Sequence, residues 1–343
     1  MISTSKYIAQ RIKLLLAEGF YYSYYFFGHK KNGICVTFKT YLSTFMFCLL
    51  TWFFTLIIGF FVAYFLAFYV NSLTWQIALF LLCTIPFWTS NVIRMISWIP
   101  LLGRNGLVND FFLSTGLTSA PQEWLLYSGF SVVLAFVHLY TLFMIVPIFN
   151  SMMRIDKSII EAAYDSGANG LQILWNIIIP LCKPGIVIGS IFVITVVMGD
   201  FITIGIMGGQ QIPSIGKIIY VEMSYLQLPA AAANAVILLL LTLLIIFVIM
   251  AVVFRSFVGG LFATLPMGIS VVMMFGLMGY LDIPLDVTTM LLTSILVGVG
   301  VDYTVHFLWH LRDHIKDGDT LEQAISNTFL ISGRGILFNG LSV

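Results

Sequence analysis

The chain has 343 residues, of which 60% are hydrophobic, 15% aromatic and only 9% charged, with a formal net charge of +1. This composition lies outside the range of soluble globular domains and marks a membrane protein. So small a charge supplies no basic face able to neutralise several phosphates, and no nucleic-acid partner is expected.

The apolar stretches are continuous and do not alternate. That excludes a β-barrel and leaves helices as the way to satisfy every backbone amide in lipid. No Asp, Glu, Lys or Arg lies between Lys39 and Arg94, from Trp124 to Met153, from Met223 to Phe254 or from Ser256 to Leu281. A bilayer core about 30 Å thick takes about 20 helical residues, so each run is long enough to cross and the first can cross twice. The expected fold class is all-α, a polytopic helical membrane protein of about seven transmembrane helices with a cytoplasmic helix between two of them.

In chain order, residues 1–36 come first; Arg11, Lys13 and Glu18 interrupt them too often for a span, and they lack the layout of a secretory signal. Spans are then expected at 41–69, 75–99, 128–149, 184–206, 231–254, 258–281 and 286–310. Cys35, Cys48, Cys83 and Cys182 show no C-x-x-C spacing and read as free thiols.

Between the third and fourth spans lies the polar passage "EAAYDSGANGLQILWNIIIPLCKPG", Glu161–Gly185. Ser158–Ser166 reads as a short helix that Gly167 terminates; "LQILWNI" resumes a helix, and Pro180 and Pro184 punctuate the return to the membrane. Its small side chains let another surface approach closely, and Glu161 presents a charge that an arginine of a partner can clamp. The chain has no G-x-x-x-x-G-K-[ST] pattern, since Gly216-Lys217 is followed by Ile. If ATP drives this protein, another chain hydrolyses it.

Glu161-Ala162-Ala163, three residues, Gly167, nine residues and Ile177-x-Ile179-Pro180 together resemble the EAA loop of ABC importer permeases, with Ile179 where the family has Leu. "PFWTSNVIRMISWIPLLGRNGLVN", "MGDFITIGIMGG" and "LQLPAAAANAVILLL" extend the likeness to permeases of the spermidine/putrescine type, over roughly residues 37–245. The family's first span has no clear counterpart; the weak segment at 12–28 replaces it or the start is truncated. The resemblance implies a non-enzymatic, multi-pass subunit of the bacterial inner (plasma) membrane, embedded in membrane lipid, that carries a polyamine or similar small solute. Glu161, Ala162, Ala163, Gly167, Ile177 and Pro180 would couple it to a dimer of ATP-binding subunits. A second permease subunit and a periplasmic or lipoprotein substrate-binding protein would complete the assembly. No cofactor is expected.

Two charged residues belong to the same part of the chain. Asp200 lies 16 residues beyond Pro184, about 24 Å of helical rise, near the outer end of a span. There it either compensates substrate ammonium groups or is an interfacial carboxylate bonded to neighbouring backbone. Arg94 faces the substrate pathway or, more simply, snorkels to the surface. Trp88 and Trp98 read as interface anchors.

Beyond Arg255 the glycines Gly259, Gly260, Gly268, Gly276, Gly279, Gly298 and Gly300 suit close helix packing. Asp302 falls 10 residues before Arg312, about 15 Å from the cytoplasmic end, where an acid must be neutralised or paired. Residues 255–314 resemble spans three and four of RND-superfamily exporters, and "GRGILFNGLSV" the start of their fifth; the likeness covers about residues 250–343. By position it implies that Asp302 and Tyr303 correspond to a proton-relay motif and Gly298 to the glycine four residues before it. The family's large periplasmic domain and second half have no counterpart here. His306, His310 and His314 follow Asp302 at four-residue steps on one helical face. An interfacial stripe accounts for them better than a metal site, and no metal is expected.

The expected organisation is an uncertain segment at 1–36, a permease part at 37–250 and a truncated RND/MMPL-like part at 251–343. Span directions agree if 231–254 serves both parts. Arg154, Lys157, Lys183, Arg312, Lys316 and Arg334 then fall inside, while Lys30, Lys31 and Lys39 run against the count. A proton-coupled exporter fragment and a non-functional chimera are the alternative functions.

Overall fold

The computed structural model describes residues 36–209, 211–283 and 287–333, without the side chains of residues 36, 287–299, 301 and 302. The opening segment, Cys35, Arg334 and the "RGILFNGLSV" ending lie outside the described residues.

Every described element is helical. Helix α1 is Val36–Tyr64, continued by a π turn at Phe65–Tyr69; α2 is Leu73–Thr84, closed by a 3₁₀ turn at Ile85–Trp88. Short helices α3 (Asn91–Ile96), α4 (Ile99–Leu102) and α5 (Leu107–Ser114) precede α6, Gly129–Met152. Next come α7 (Lys157–Asp165), α8 (Gly170–Ile173), a π turn at Leu174–Ile178 and α9 (Ile179–Gly199). Then follow α10 (Ile202–Met207), α11 (Ile215–Ser224), α12 (Leu228–Phe254), α13 (Phe257–Tyr280), α14 (Val287–Lys316) and α15 (Leu321–Thr328).

Thr37–Tyr69, Glu123–Met152, Gly170–Gly199, Leu228–Phe254 and Phe257–Tyr280 are each long and apolar enough to cross a membrane. The fold is an all-α polytopic membrane protein. Hydroxyls within these helices bond back along their own turns, Thr44 to the Thr40 carbonyl at 2.9 Å, Thr55 to Thr51 at 2.8 Å and Thr195 to Ile191 at 2.8 Å. Such bonds let a polar atom sit in an apolar run without an orphaned proton. The span expected at 286–310 corresponds to α14, many of whose side chains are outside the described residues.

Two spans differ from expectation. The stretch 75–99 is not one crossing: Leu73–Trp88 and Asn91–Ser114 form a broken pair bent by 90°. Pro86 lacks an N–H, Thr89 and Ser90 take extended ψ values of 148° and 134°, and the Thr89 hydroxyl closes the turn on the Pro86 carbonyl at 2.8 Å. The span expected at 184–206 instead runs from Gly170 to Gly199, with both prolines inside it. A proline ring clashes with the carbonyl four residues earlier, and the π turn at Leu174–Ile178 widens the helix just ahead of Pro180.

The described chain divides into two compact units. The first holds 36–55, 83–140 and 197–242, built around the fully buried Met95, Phe136, Ile204, Met207 and Ile215. Ser131 donates to the Met207 carbonyl at 2.9 Å, and Thr44 accepts the Ile215 N–H at 3.0 Å.

The second unit holds 56–82, 141–196 and 243–333. There α6 and α9 meet at glycines: a Cβ on Gly185 would lie 2.3 Å from the Pro147 carbonyl oxygen and 2.4 Å from Ser151 Oγ. Phe143 and Phe192 stack at 5.1 Å beside this crossing. The turn from α12 to α13 places Arg255 at φ 51°, and Ser256 Oγ caps α13 by accepting the Gly259 N–H at 3.2 Å. Burying a methyl against a fixed carbonyl costs about 1–3 kcal/mol. Gly185→Ala is therefore expected to lower the thermal unfolding temperature in detergent. Gly276→Ala, where a Cβ meets nothing within 4 Å, should leave it unchanged or raise it.

Candidate functional site

The polar passage forms a rigid elbow. Asp156 opens α7 by accepting the Ser158 N–H at 3.0 Å, a bond that holds its carboxyl below the usual range. No residue of α7 is buried; Ile159 is 45% and Tyr164 56% exposed, so an apolar stripe at helical spacing lies uncovered. The far end is a Schellman cap: the Gly167 N–H reaches the Tyr164 carbonyl at 2.9 Å and the Ala168 N–H the Ala163 carbonyl at 3.0 Å. Gly167 sits at φ +85°, and a Cβ there would meet nothing within 4 Å, so the glycine is required by backbone conformation and not by space.

Two residues later a second cap begins. Gln172 N–H donates to Asn169 Oδ1 at 2.8 Å while Asn169 N–H donates to Gln172 Oε1 at 2.9 Å, a reciprocal box that starts the helix running to Gly199. Glu161, Ala162, Gly167 and Pro180 are exposed, and Ala163 and Ile177 half-buried. Sequence reasoning passed over Asp156, Asn169 and Gln172, although the N-x-x-Q spacing was there to be read.

A polar cluster occupies the first unit. Asp200 immediately follows α9, and its carboxylate accepts the Thr203 N–H at 2.8 Å, the Thr203 hydroxyl at 2.5 Å and the Tyr140 hydroxyl. Arg94 does not snorkel. It is 8% exposed, its Nη2 donates to Asn91 Oδ1, and its Nε has no partner. The break before α3 is the reason, since it turns this face of the chain inward instead of continuing a lipid-facing helix. Arg94 lies near enough to Tyr140 and His138 for electrostatic interaction with both, and His138 Nδ1 accepts the Trp98 indole N–H at 3.1 Å. Arg94 and Asp200 are thus brought to the same Tyr140 and not to one another. Trp88 is 84% exposed, whereas Trp98 belongs to the cluster. Tyr140, His138 and Thr203 were missed; their only sequence signal was polar character within apolar runs.

On α14 the backbone carries Gly298 and Asp302, whose side-chain surroundings lie outside the described residues, followed by the half-buried Tyr303. His314 Nδ1 is 3.2 Å from Asp319 Oδ2. Among the described residues no group of three or more His, Cys, Asp or Glu side chains is placed to hold a metal. Of the described thiols, Cys48 and Cys182 are buried and Cys83 half-buried, and none of the three is in a disulfide.

Residues 228–343 match the MMPL family. The chain is 34% identical over 182 residues to the spermidine/putrescine transport system permease protein PotB of Escherichia coli (strain K12), covering 53% of this chain and 65% of that protein. It is 34% identical over 144 residues to PotB of Haemophilus influenzae, covering 42% of this chain and 50% of that one. The putative membrane protein MJ1562 of Methanocaldococcus jannaschii is 30% identical over 90 residues, 26% of this chain and 23% of that protein. The chain carries two resemblances. It spans half to two thirds of the length of the PotB permeases it matches, and the MMPL match begins at α12, earlier than the boundary expected near residue 250.

A hydrogen bond to a charged group is worth about 1.5–3 kcal/mol. Tyr140→Phe is expected to destabilise the detergent-solubilised protein by that order. In a double-mutant cycle of thermal unfolding, Tyr140→Phe should cost far less when Asp200→Asn is already present than it does in the wild-type chain.

Proposed function

We propose that this chain is a membrane-embedded permease subunit of an ATP-driven ABC importer, with α7 as the helix that a separate ATP-binding subunit grips. The observation that carries this reading is the elbow: an exposed helix with an uncovered apolar stripe, ended by Gly167 at φ +85° and bound at both ends to long apolar helices. Ile159 and Tyr164 remain 45% and 56% exposed, and a groove in a partner would bury that remaining surface. Because both ends of α7 are capped internally, a displacement of the elbow is passed on to α6 and α9 and is not lost to fraying. Alternating access follows from rocking these helices as two ATPase subunits close and part.

The PotB similarity supports a polyamine or a similar small solute as cargo, delivered by a substrate-binding protein in the bacterial inner membrane, with a second permease subunit completing the pathway. The pathway is assigned to the level of Arg94 and Asp200. Asp200 already accepts three hydrogen bonds from Tyr140 and Thr203. In this reading it shapes the pathway wall in the state described and is released to substrate in another. A second reading, a proton-coupled exporter built on Asp302, Tyr303 and Gly298, has the MMPL match in its favour.

The reconstituted complex with its ATP-binding subunits provides the test. Glu161→Lys and Gly167→Val are each expected to abolish transporter-stimulated ATP hydrolysis while membrane insertion stays near wild type; Glu161→Lys should also leave thermal unfolding of the isolated subunit unchanged, whereas Gly167→Val, strained at φ +85°, should lower it. Asp302→Asn should leave that hydrolysis intact. Full hydrolysis in both elbow variants would overturn the importer reading, and transport lost in Asp302→Asn but kept in Glu161→Lys would favour the exporter.

A further inference from the structure

A cavity of about 280 Å³ lies at the root of the elbow. Its lining comes from three places: Arg154, Asp156 and Ile159 with their neighbours from the end of α6 into α7, Leu181 and Pro184 on α9, and His306, Trp309, His310 and Asp313 on α14. It therefore joins the permease-like part to the segment that matches the MMPL family.

The chemistry of the lining is divided. Arg154 lies close enough to His306 and His310 for its charge to act on both. Asp313 acts on His310 with the opposite sign. Arg154 and Asp313 line the same cavity without forming an ion pair with one another. Asp156 is turned toward its own Ser158 N–H. Leu181, Pro184 and the Trp309 indole make the remaining wall apolar, and Trp309 is steadied by Phe254 at a ring distance of 6.0 Å.

Arg154 and Asp156 lie in the turn between α6 and α7, and Leu181 and Pro184 lie in the first two turns of α9, within the apolar span Gly170–Gly199. A basic and an acidic group beside an apolar wall fit an amphiphile that carries both signs of charge.

We infer that this cavity binds one zwitterionic phospholipid, with its phosphate held by Arg154 and the His310 imidazole, its ammonium by Asp313, and the start of an acyl chain against Leu181, Pro184 and Trp309. A purely anionic headgroup would satisfy Arg154 and leave Asp313 opposed to it; a zwitterion answers both. Free phosphate would use the basic side and leave the apolar wall empty. The inference goes beyond the importer reading and does not depend on it.

Native mass spectrometry of the full chain in detergent tests the site, with phosphatidylethanolamine, phosphatidylglycerol and inorganic phosphate as separate titrants. One tightly retained phosphatidylethanolamine is expected, about tenfold tighter than phosphatidylglycerol. Arg154→Glu and Asp313→Lys should each weaken it about tenfold. Leu181→Trp, which fills the cavity from its apolar side without touching a charge, should abolish retention while thermal unfolding stays unchanged. Glu161→Lys, at the elbow and outside the cavity, should keep the lipid, so a failure of coupling and a failure of lipid binding are read separately. Equal retention of both lipids in wild type and Arg154→Glu would mean annular lipid only and would overturn the inference. So would binding of inorganic phosphate that Leu181→Trp leaves intact.

Discussion

A helix that ends in or beside a bilayer leaves four N–H groups at one end and four carbonyls at the other without partners, and hydrocarbon supplies none. In a chain with 9% charged residues, that constraint governs where polar side chains sit. They gather at the breaks. Thr89 closes the 90° bend, Asp156 opens α7, Asn169 and Gln172 open α8, and Asp200 with Thr203 opens α10. Ser214 accepts the Lys217 N–H at 3.2 Å to open α11, Ser256 opens α13, and Thr320 with Gln323 opens α15.

Two kinds of break follow, with different consequences. At the elbow the caps are complete within a short stretch of chain, so the backbone is satisfied without help and the outer faces of α7 remain open to another protein. At Asp200 the cap is completed from 60 residues away by the Tyr140 hydroxyl, so the break is tied into packing and its polar groups face inward. The first kind suits a handle and the second a lining. The 30-residue helix Gly170–Gly199 starts at one and stops just before the other, about 45 Å of continuous rod at 1.5 Å per residue.

Much of this was legible in the sequence, for identifiable reasons. Spans at 41–69, 128–149, 231–254 and 258–281 stood out because uncharged runs of that length have no other stable home. Gly167 stood out because the residues around it are helix formers and it alone tolerates positive φ. The bend at Thr89 was hidden because "PFWTSN" is short, and its apolar neighbours outweigh it in any window the length of a span. Pro180 and Pro184 misled, since the rule that proline ends a helix takes no account of a π turn that makes room for the ring. Tyr140 could not be paired with Asp200 at all: their contact is set by how α6 and α9 pack, and no local periodicity encodes it. Arg94 was misplaced for the same reason, its burial depending on a bend that had not been seen.

The joining of two resemblances at α12 has a physical basis in that helix's own two halves. Its first half bonds to permease-like elements: the Tyr41 hydroxyl donates to the Asn234 carbonyl at 3.2 Å, the Asn234 amide donates to both Glu222 oxygens at 3.0 and 3.1 Å, and the Thr242 hydroxyl approaches Met198 Sδ at 3.7 Å. Burial pushes the Glu222 carboxyl up from its usual range, and the Asn234 amide offsets part of that push. The second half of α12 faces a different neighbour, with Ala251 so close to Gly260 of α13 that a Cβ on the glycine would lie 2.9 Å from the alanine's. Small residues on both sides of that crossing let the backbones approach. The same helix thus meets polar demands along one half and close-packing demands along the other. The MMPL match includes all of α12, so the closely packed α12–α13 hairpin lies wholly within it.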